Sequence, residues 1–302
     1  MRAPAAALVL LASLSWCVAR AATQDSQPGR SVFASRADLV VVHVSVIDER
    51  SGLVSGLPRE AFAVYEDGQP QRIDFFLNED TPATVGLVID ASMSMHRKRE
   101  ALVAGGMAFA QATHPRDEIF TVHFNERVWF GLGADQPFTS DAGLLRATLQ
   151  KSPARGRTAL FDGLAAALSH VERGTSQKKA LVVISDGGDN ASRESFEDIV
   201  RQVNQSDTLI YTICLKDEYD RDADPEALER LATASGGIAF SPRRIGDVTK
   251  ILERIARDIH GGYTIGYVPA AAGGGHRDVR VEVTAPNRRQ LSVRARSGYG
   301  LD

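Results

Sequence analysis

Apolar positions change their rhythm three times along the chain. At the start, "AALVLLASLSWCVA" follows the positive Met1-Arg2 as an unbroken apolar run, too short to span a bilayer comfortably, and "ARA", Ala19 to Ala21, has the small residues of a cleavage site. This pattern predicts a secretory signal peptide over residues 1–21 and a polar, Pro/Gly-containing leader over residues 22–37. The next stretch, 38–82, reads as β-structure. "DLVVVHVSVIDE" is β-branched throughout, and "FAVYEDGQPQRIDFF" reads as two short strands around Asp67-Gly68, a turn pair that tolerates positive φ.

From Ala83 the pattern alternates between strands and helices. "TVGLVID", "EIFTVHF", "KALVVISD" and "TLIYTICL" are compact apolar runs, with a short "RVWFGL" strand after the turn at Asn125-Glu126. Between them, "REALVAGGMAFAQAT", "DAGLLRATLQK" and "ALFDGLAAALSHVE" read as helices. "SFEDIVRQVNQ" adds a capping box from Ser195 and Asp198, and "DPEALERLATASGG" opens on Asp224-Pro225 and stops at Gly236. A closing helix from Gly246 to His260 carries Val248, Ile251, Leu252, Ile255 and Ile259 on one face. Strands apolar on both faces and separated by helices predict a doubly wound, mostly parallel α/β sheet over residues 83–261. After Gly262 the pattern returns to β in "GYTIGYVPA", "DVRVEVTA" and "QLSVRARSGYG". Each flank is too short to bury a core by itself. The expectation is therefore one small β-sandwich built from 38–82 and 262–302, with the α/β domain inserted between them.

Composition narrows the partners. The 302 residues carry a formal charge of −3, which becomes −5 once Arg2 and Arg20 leave with the signal peptide. No basic excess points to nucleic acid. Acylation of Cys17 is the alternative reading of the leader, disfavoured by the bulky Trp16 before it. After cleavage only Cys214 remains, so an internal disulfide is excluded, and its apolar setting predicts a buried, inert thiol. The protein is expected to be exported, to the periplasm or beyond the cell, with no transmembrane span in the mature chain.

The chemistry concentrates in "LVIDASMSMH", where a buried strand ends in Asp90 and sets Ser92 and Ser94 at alternate positions. Thr158, just before a helix in "ARGRTALFDG", and Asp186, ending the strand "VVISD", add two more oxygens. All five donors are hard oxygens, with neither His nor Cys among them, which suits Mg²⁺ or Mn²⁺ and not zinc. Asp189 and Asn190 read as loop and helix-start residues. Asp162 either supports the site from behind or caps locally. Met93 and Met95 either pack inward or give the rim an apolar surface, and "HRKRE", His96 to Glu100, is a solvated basic face or a steering element for an acidic partner. Catalysis is not expected: positions 91 to 94 lack the second acid of a phosphoryl-transfer aspartate site, and no G-x-S-x-G elbow or P-loop lysine occurs.

The run Asp90-Ala91-Ser92-Met93-Ser94, followed in order by Thr158 and Asp186, resembles the metal-ion-dependent adhesion site (MIDAS) of von Willebrand factor type A domains, over about Ala83 to Gly261. With its β flanks the whole chain looks like secreted bacterial von Willebrand factor A-related proteins. The resemblance implies that Ser92 and Ser94 bind the cation through hydroxyls, Thr158 directly or through water, and Asp90 and Asp186 through waters. The sixth position would be left for a partner's Asp or Glu. It also implies coupling between the metal site and the last helix. Met93 stands where many members have Gly, a position that is not a ligand. The implied function is a metal-dependent protein-binding module. The alternative is a structural envelope component in which the metal only stabilises the fold.

Overall fold

A computed structural model describes residues 39–48, 52–78, 80–152, 154–216, 222–269, 275–285 and 291–301. The signal peptide and leader read from the sequence lie outside the described residues.

The chain opens with β1 (Val40–Asp48), β2 (Gly52–Val54), β3 (Phe62–Glu66), β4 (Gln69–Gln71) and β5 (Ile73–Leu77). It then builds β6 (Ala83–Asp90), α1 (Arg99–Ala112), β7 (Glu118–Phe124), β8 (Val128–Phe130), α2 (Ala142–Gln150) and α3 (Leu160–Val171). Next come β9 (Lys178–Ser185), α4 (Phe196–Gln205), β10 (Leu209–Cys214), α5 (Pro225–Ser235), β11 (Ala239–Phe240) and α6 (Val248–Gly261). It closes with β12 (Tyr263–Tyr267), β13 (Gly275–Val283), β14 (Leu291–Arg294) and β15 (Gly298–Leu301).

The central sheet runs β11-β10-β9-β6-β7-β8, parallel except for β8. Its four inner strands, β10, β9, β6 and β7, are buried on both faces because helices cover both. Val85, Leu87 and Ile89 of β6 join an apolar cluster with α1, α2 and α6 residues, whereas Val88 points into a second cluster with residues of α3, α4 and α5. This alternation is the two-residue period of a strand serving two cores at once. The helix signals hold in place. Ser195 and Asp198 form the capping box of α4, and α5 has Asp224 as N-cap, Pro225 in its first turn and Gly236 at φ 84° after its end. Each such cap is worth about 1 kcal/mol. On α6, Val248, Leu252, Ile255 and Ile259 are buried, with Ile251 packed at the margin.

The flanks form two antiparallel sheets, β14-β1-β12-β5 with β2 beside β1, and β15-β13-β3-β4. Val42, Val44, Phe62, Val64, Ile265, Val281 and Tyr299 from both sheets share one apolar cluster. The chain changes sheet at two places where the sequence pattern reads as continuous. β4 pairs with β3, but β5, after Arg72, pairs with β12 in the opposite sheet. Likewise "LSVRARSGYG" splits into β14 against β1 and β15 against β13. The expected Asp67-Gly68 turn has φ 48° and 77° at its two positions, the double positive φ of a two-residue hairpin. Glu66, 3% exposed, accepts hydrogen bonds from Tyr267 (2.8 Å) in one sheet and Tyr299 (2.7 Å) in its own. Burial pushes both phenols above their ordinary range, so they remain donors to this carboxylate.

Two polar contacts join flank to centre. His260, near the end of α6, lies with Nδ1 3.3 Å from the Thr81 carbonyl just before β6, while its Nε2 meets Asp117 at 3.0 Å; Asp117, buried in the turn before β7, also accepts from the Ala83 backbone N–H at 2.8 Å. Arg296, 5% exposed between β14 and β15, reaches the end of α4: its guanidinium donates to the carbonyls of Asn204 and Ser206 and to the Asp207 carboxylate.

Candidate metal centre

The strand order fixes where a ligand sits. From β6 the chain proceeds to β7 on one side, and the later strands β9 and β10 lie on the other, so the connections part above the carboxyl end of β6. Such a switch point leaves a crevice between loops. Asp90 ends β6 there, and Ser185-Asp186 leaves β9 beside it.

Four of the five sequence-predicted residues meet in this crevice. The Ser94 hydroxyl donates to Asp186 Oδ2 at 2.5 Å and lies 3.0 Å from the Ser92 hydroxyl. Asp90, 1% exposed, lies beneath them and turns the loop by accepting from the Ser92 backbone N–H at 2.8 Å. Its other oxygen accepts from Ser185 at 2.6 Å. Burial pushes the Asp90 carboxyl up to about 6 against hydrogen bonds from Ser185 and Ser92 that pull it down, and the neighbouring Asp186 carboxylate adds to the rise. Two carboxylates and two hydroxyls crowded at a dry sheet end thus carry an unmet demand for positive charge. The donor chemistry fits a hard divalent cation.

Thr158 comes from a separate loop and is buried. Among the described residues no side-chain hydrogen bond links it to the other four. Its backbone places it: Met93 N–H donates to the Gly156 carbonyl (3.3 Å), Arg155 N–H to the Ala91 carbonyl (2.8 Å), and Thr158 N–H to Asn190 Oδ1 (3.0 Å). The threonine loop is therefore laced to the serine loop on one side and to the aspartate loop on the other. No group of three His, Cys, Asp or Glu side chains is placed to share an ion among the described residues. A centre here would draw its remaining oxygens from Ser and Thr.

The supporting residues resolve several open readings. Asn190 and Asp189 organise loops: Asp189 accepts from the Ser192 hydroxyl at 2.5 Å and the Phe161 N–H at 3.1 Å. Asp162 accepts from the N–H groups of Arg193 and Glu194, tying the start of α3 to the segment ahead of α4. Met95 is buried, while Met93 is 62% exposed on the rim. The basic cluster divides too. His96 and Arg97 face solvent, and Lys98 is buried, donating to the Leu215 carbonyl. Cys214 is a buried free thiol, as expected. Ser185 is a site residue that sequence reasoning missed; its signal was a hydroxyl closing the strand next to the one that ends in Asp90.

The Asp186 loop depends on glycine. Gly187 has φ 89°, and a Cβ there would lie 2.1 Å from the Asp224 carbonyl oxygen at the cap of α5. Gly187→Ala is expected to cost roughly 3 kcal/mol or more from backbone strain and overlap. Urea unfolding measures this, and an unchanged midpoint contradicts it.

Residues 85–254, more than half of the chain, match the family model of the von Willebrand factor type A domain. Among solved structures, the fold is similar to a von Willebrand factor type A protein from Catenulispora acidiphila, at 13% identity and TM-score 0.52, covering 89% of this chain and 74% of that one. It is also similar to proximal thread matrix protein 1 from the mussel byssus with a zinc-occupied MIDAS motif, at 18% identity and TM-score 0.52, covering 64% of this chain and 49% of that one. At these identities the likeness is one of fold. No curated protein matches the sequence.

Proposed function

The chain belongs to the von Willebrand factor type A domain family, and from that premise we propose that it is an exported, divalent-metal-dependent protein-binding module. In this reading Asp90, Ser92, Ser94, Thr158 and Asp186 hold Mg²⁺ or Mn²⁺, and the cation supplies an attachment point for an Asp or Glu of a partner protein. Domains of this family are typically binding modules and not catalysts. The observation that supports the reading most directly is the hydrogen-bonded set of oxygens at the crevice, Ser92 to Ser94 to Asp186, with Asp90 buried below. Hydroxyl ligands leave the cation's charge only partly offset, so an incoming carboxylate gains strongly from it. The residues of this chain position those oxygens and exclude water from beneath them.

Export to the periplasm or beyond belongs to the same proposal and rests on the leader sequence. No helix of the described residues is long and apolar enough to cross a membrane. The division into a β flank over 38–82, the type A domain over 83–261 and a second β flank over 262–302 is likewise proposed as the functional division of the chain. The metal sits in the middle segment, and the paired flanks act as its mount.

Calorimetric titration with Mg²⁺ and Mn²⁺ tests the reading: one saturable site is expected. At metal one hundredfold above Kd, binding adds about 2.7 kcal/mol to stability. That is a rise of roughly 5–10 °C in Tm for a chain of this size. EDTA should abolish it. Heat-silent titrations together with a melting point indifferent to metal and EDTA would sink the proposal.

A further inference from the structure

The surface around the crevice has a chemical character of its own. The backbone of Arg155-Gly156-Arg157 runs against the serine loop, bonded from Arg155 N–H to the Ala91 carbonyl and from Met93 N–H to the Gly156 carbonyl. Arg155 and Arg157 are both exposed, as is Arg97 at the end of the same serine loop. Arg157 is tied to the aspartate loop, its guanidinium donating to the Asn190 carbonyl at 3.3 Å. Among the described residues none of these three arginines forms an ion pair. Glu126, whose carboxylate lies against Gly156, offsets one charge of the group. Met93, bonded through its N–H to Gly156 between the two arginines of that loop, is 62% exposed and presents a flexible apolar side chain. Unpaired guanidiniums are strongly suited to carboxylates, which they bind through paired N–H donors.

We propose that this rim selects the partner: the ligand is a segment bearing a second carboxylate within a few residues of the metal-bound one, with an apolar side chain between them against Met93. The inference rests on the metal reading above and deepens it. The cation takes one carboxylate, Arg155 and Arg157 take the other, and Met93 covers the link. A lone acidic residue satisfies the metal but leaves the rim unused. A basic residue in the second position meets like charge.

Three fluorescent nonapeptides in a Gly/Ser background, centred on Asp-Leu-Glu, Asp-Leu-Gln and Asp-Leu-Lys, test this with the mature chain in saturating Mg²⁺. Anisotropy should rank them in that order, with about tenfold between the first two, the size of one good charge contact. The gap should narrow as salt rises. In the double variant Arg155→Glu/Arg157→Glu the order should reverse in favour of Asp-Leu-Lys, while calorimetric Mg²⁺ binding persists. An unchanged ranking in that variant, or equal binding of all three by the wild type, overturns the rim proposal. So does failure of every peptide on a wild type that binds Mg²⁺, a result that leaves the metal centre standing. Absence of Mg²⁺ binding in the wild type overturns both.

Discussion

Ser94→Ala and Asp186→Ala should each weaken Mg²⁺ binding by about a hundredfold or more, beyond the 10- to 100-fold typical of residues that only support a metal site. The two hydrogen-bonded atoms, Ser94 Oγ and Asp186 Oδ2, are the crevice oxygens drawn from different loops. Losing either removes the closure between those loops as well as a donor. The variants differ without metal. Ser94→Ala takes a hydrogen bond from the Asp186 carboxylate, which keeps the Gly188 N–H at 3.1 Å. Asp186→Ala removes a like charge that pushes up the Asp90 carboxyl. Because it also leaves the Ser94 hydroxyl and the Gly188 N–H without their acceptor, the second variant should melt slightly below the wild type in EDTA and well below it in Mg²⁺. Calorimetry and paired melting curves measure both effects. Wild-type affinity in either variant contradicts the assignment.

Arg296→Ala carries the largest expected loss of stability. The guanidinium is buried and donates to three carbonyls, those of Asn204, Ser206 and Gly298, and to Asp207. Two of those carbonyls belong to the C-terminal end of α4, where the helix dipole concentrates negative charge. Alanine leaves the buried Gly298 and the half-buried Asn204 and Ser206 carbonyls without their donor and opens a cavity under Tyr299, over whose ring the guanidinium lies at 5.6 Å. The cost should be about 3–5 kcal/mol. Lysine should restore little, because one ammonium cannot reproduce a planar fork. Urea unfolding measures the loss, and a Lys variant as stable as wild type argues against this geometry.

The sequence carried most of the element plan because that plan is local. Apolar runs such as "TVGLVID", the Ser195–Asp198 box, and Asp224-Pro225 with Gly236 each encode their element within a few residues. Asp90, Ser92, Ser94 and Asp186 were legible for the same reason: a strand end and a spacing of two define where oxygens point. What remained hidden depends on partners far along the chain. The crossings at Arg72 and after Arg294 do not alter the apolar alternation, since both sheets bury one face into a common core. Arg296 reads as one more polar residue in "RARSGYG"; only its contacts with residues 204 to 207 reveal a buried cation. The fate of "HRKRE" turned on a 3₁₀ turn over Met93–Lys98, whose tighter winding places Lys98 inward.

The entry and exit of the central unit lie side by side. Leu77 on β5 pairs with Thr264 on β12, with the whole α/β portion of the chain between them. From an unfolded chain this contact closes a very long loop before any local reward is gained, a slow event for nonlocal strand pairing. Once the parallel sheet has collapsed and Asp117 has drawn Ala83 and His260 together, the same two strands begin as neighbours. The topology thus favours an order of assembly in which the centre folds first and acts as the template for its own mount, so pulsed hydrogen exchange should protect the amides of β6, β7 and β9 before those of β1 and β12. Until then β1, β3 and β5 lack the partners β12, β13 and β14 that close their sheets.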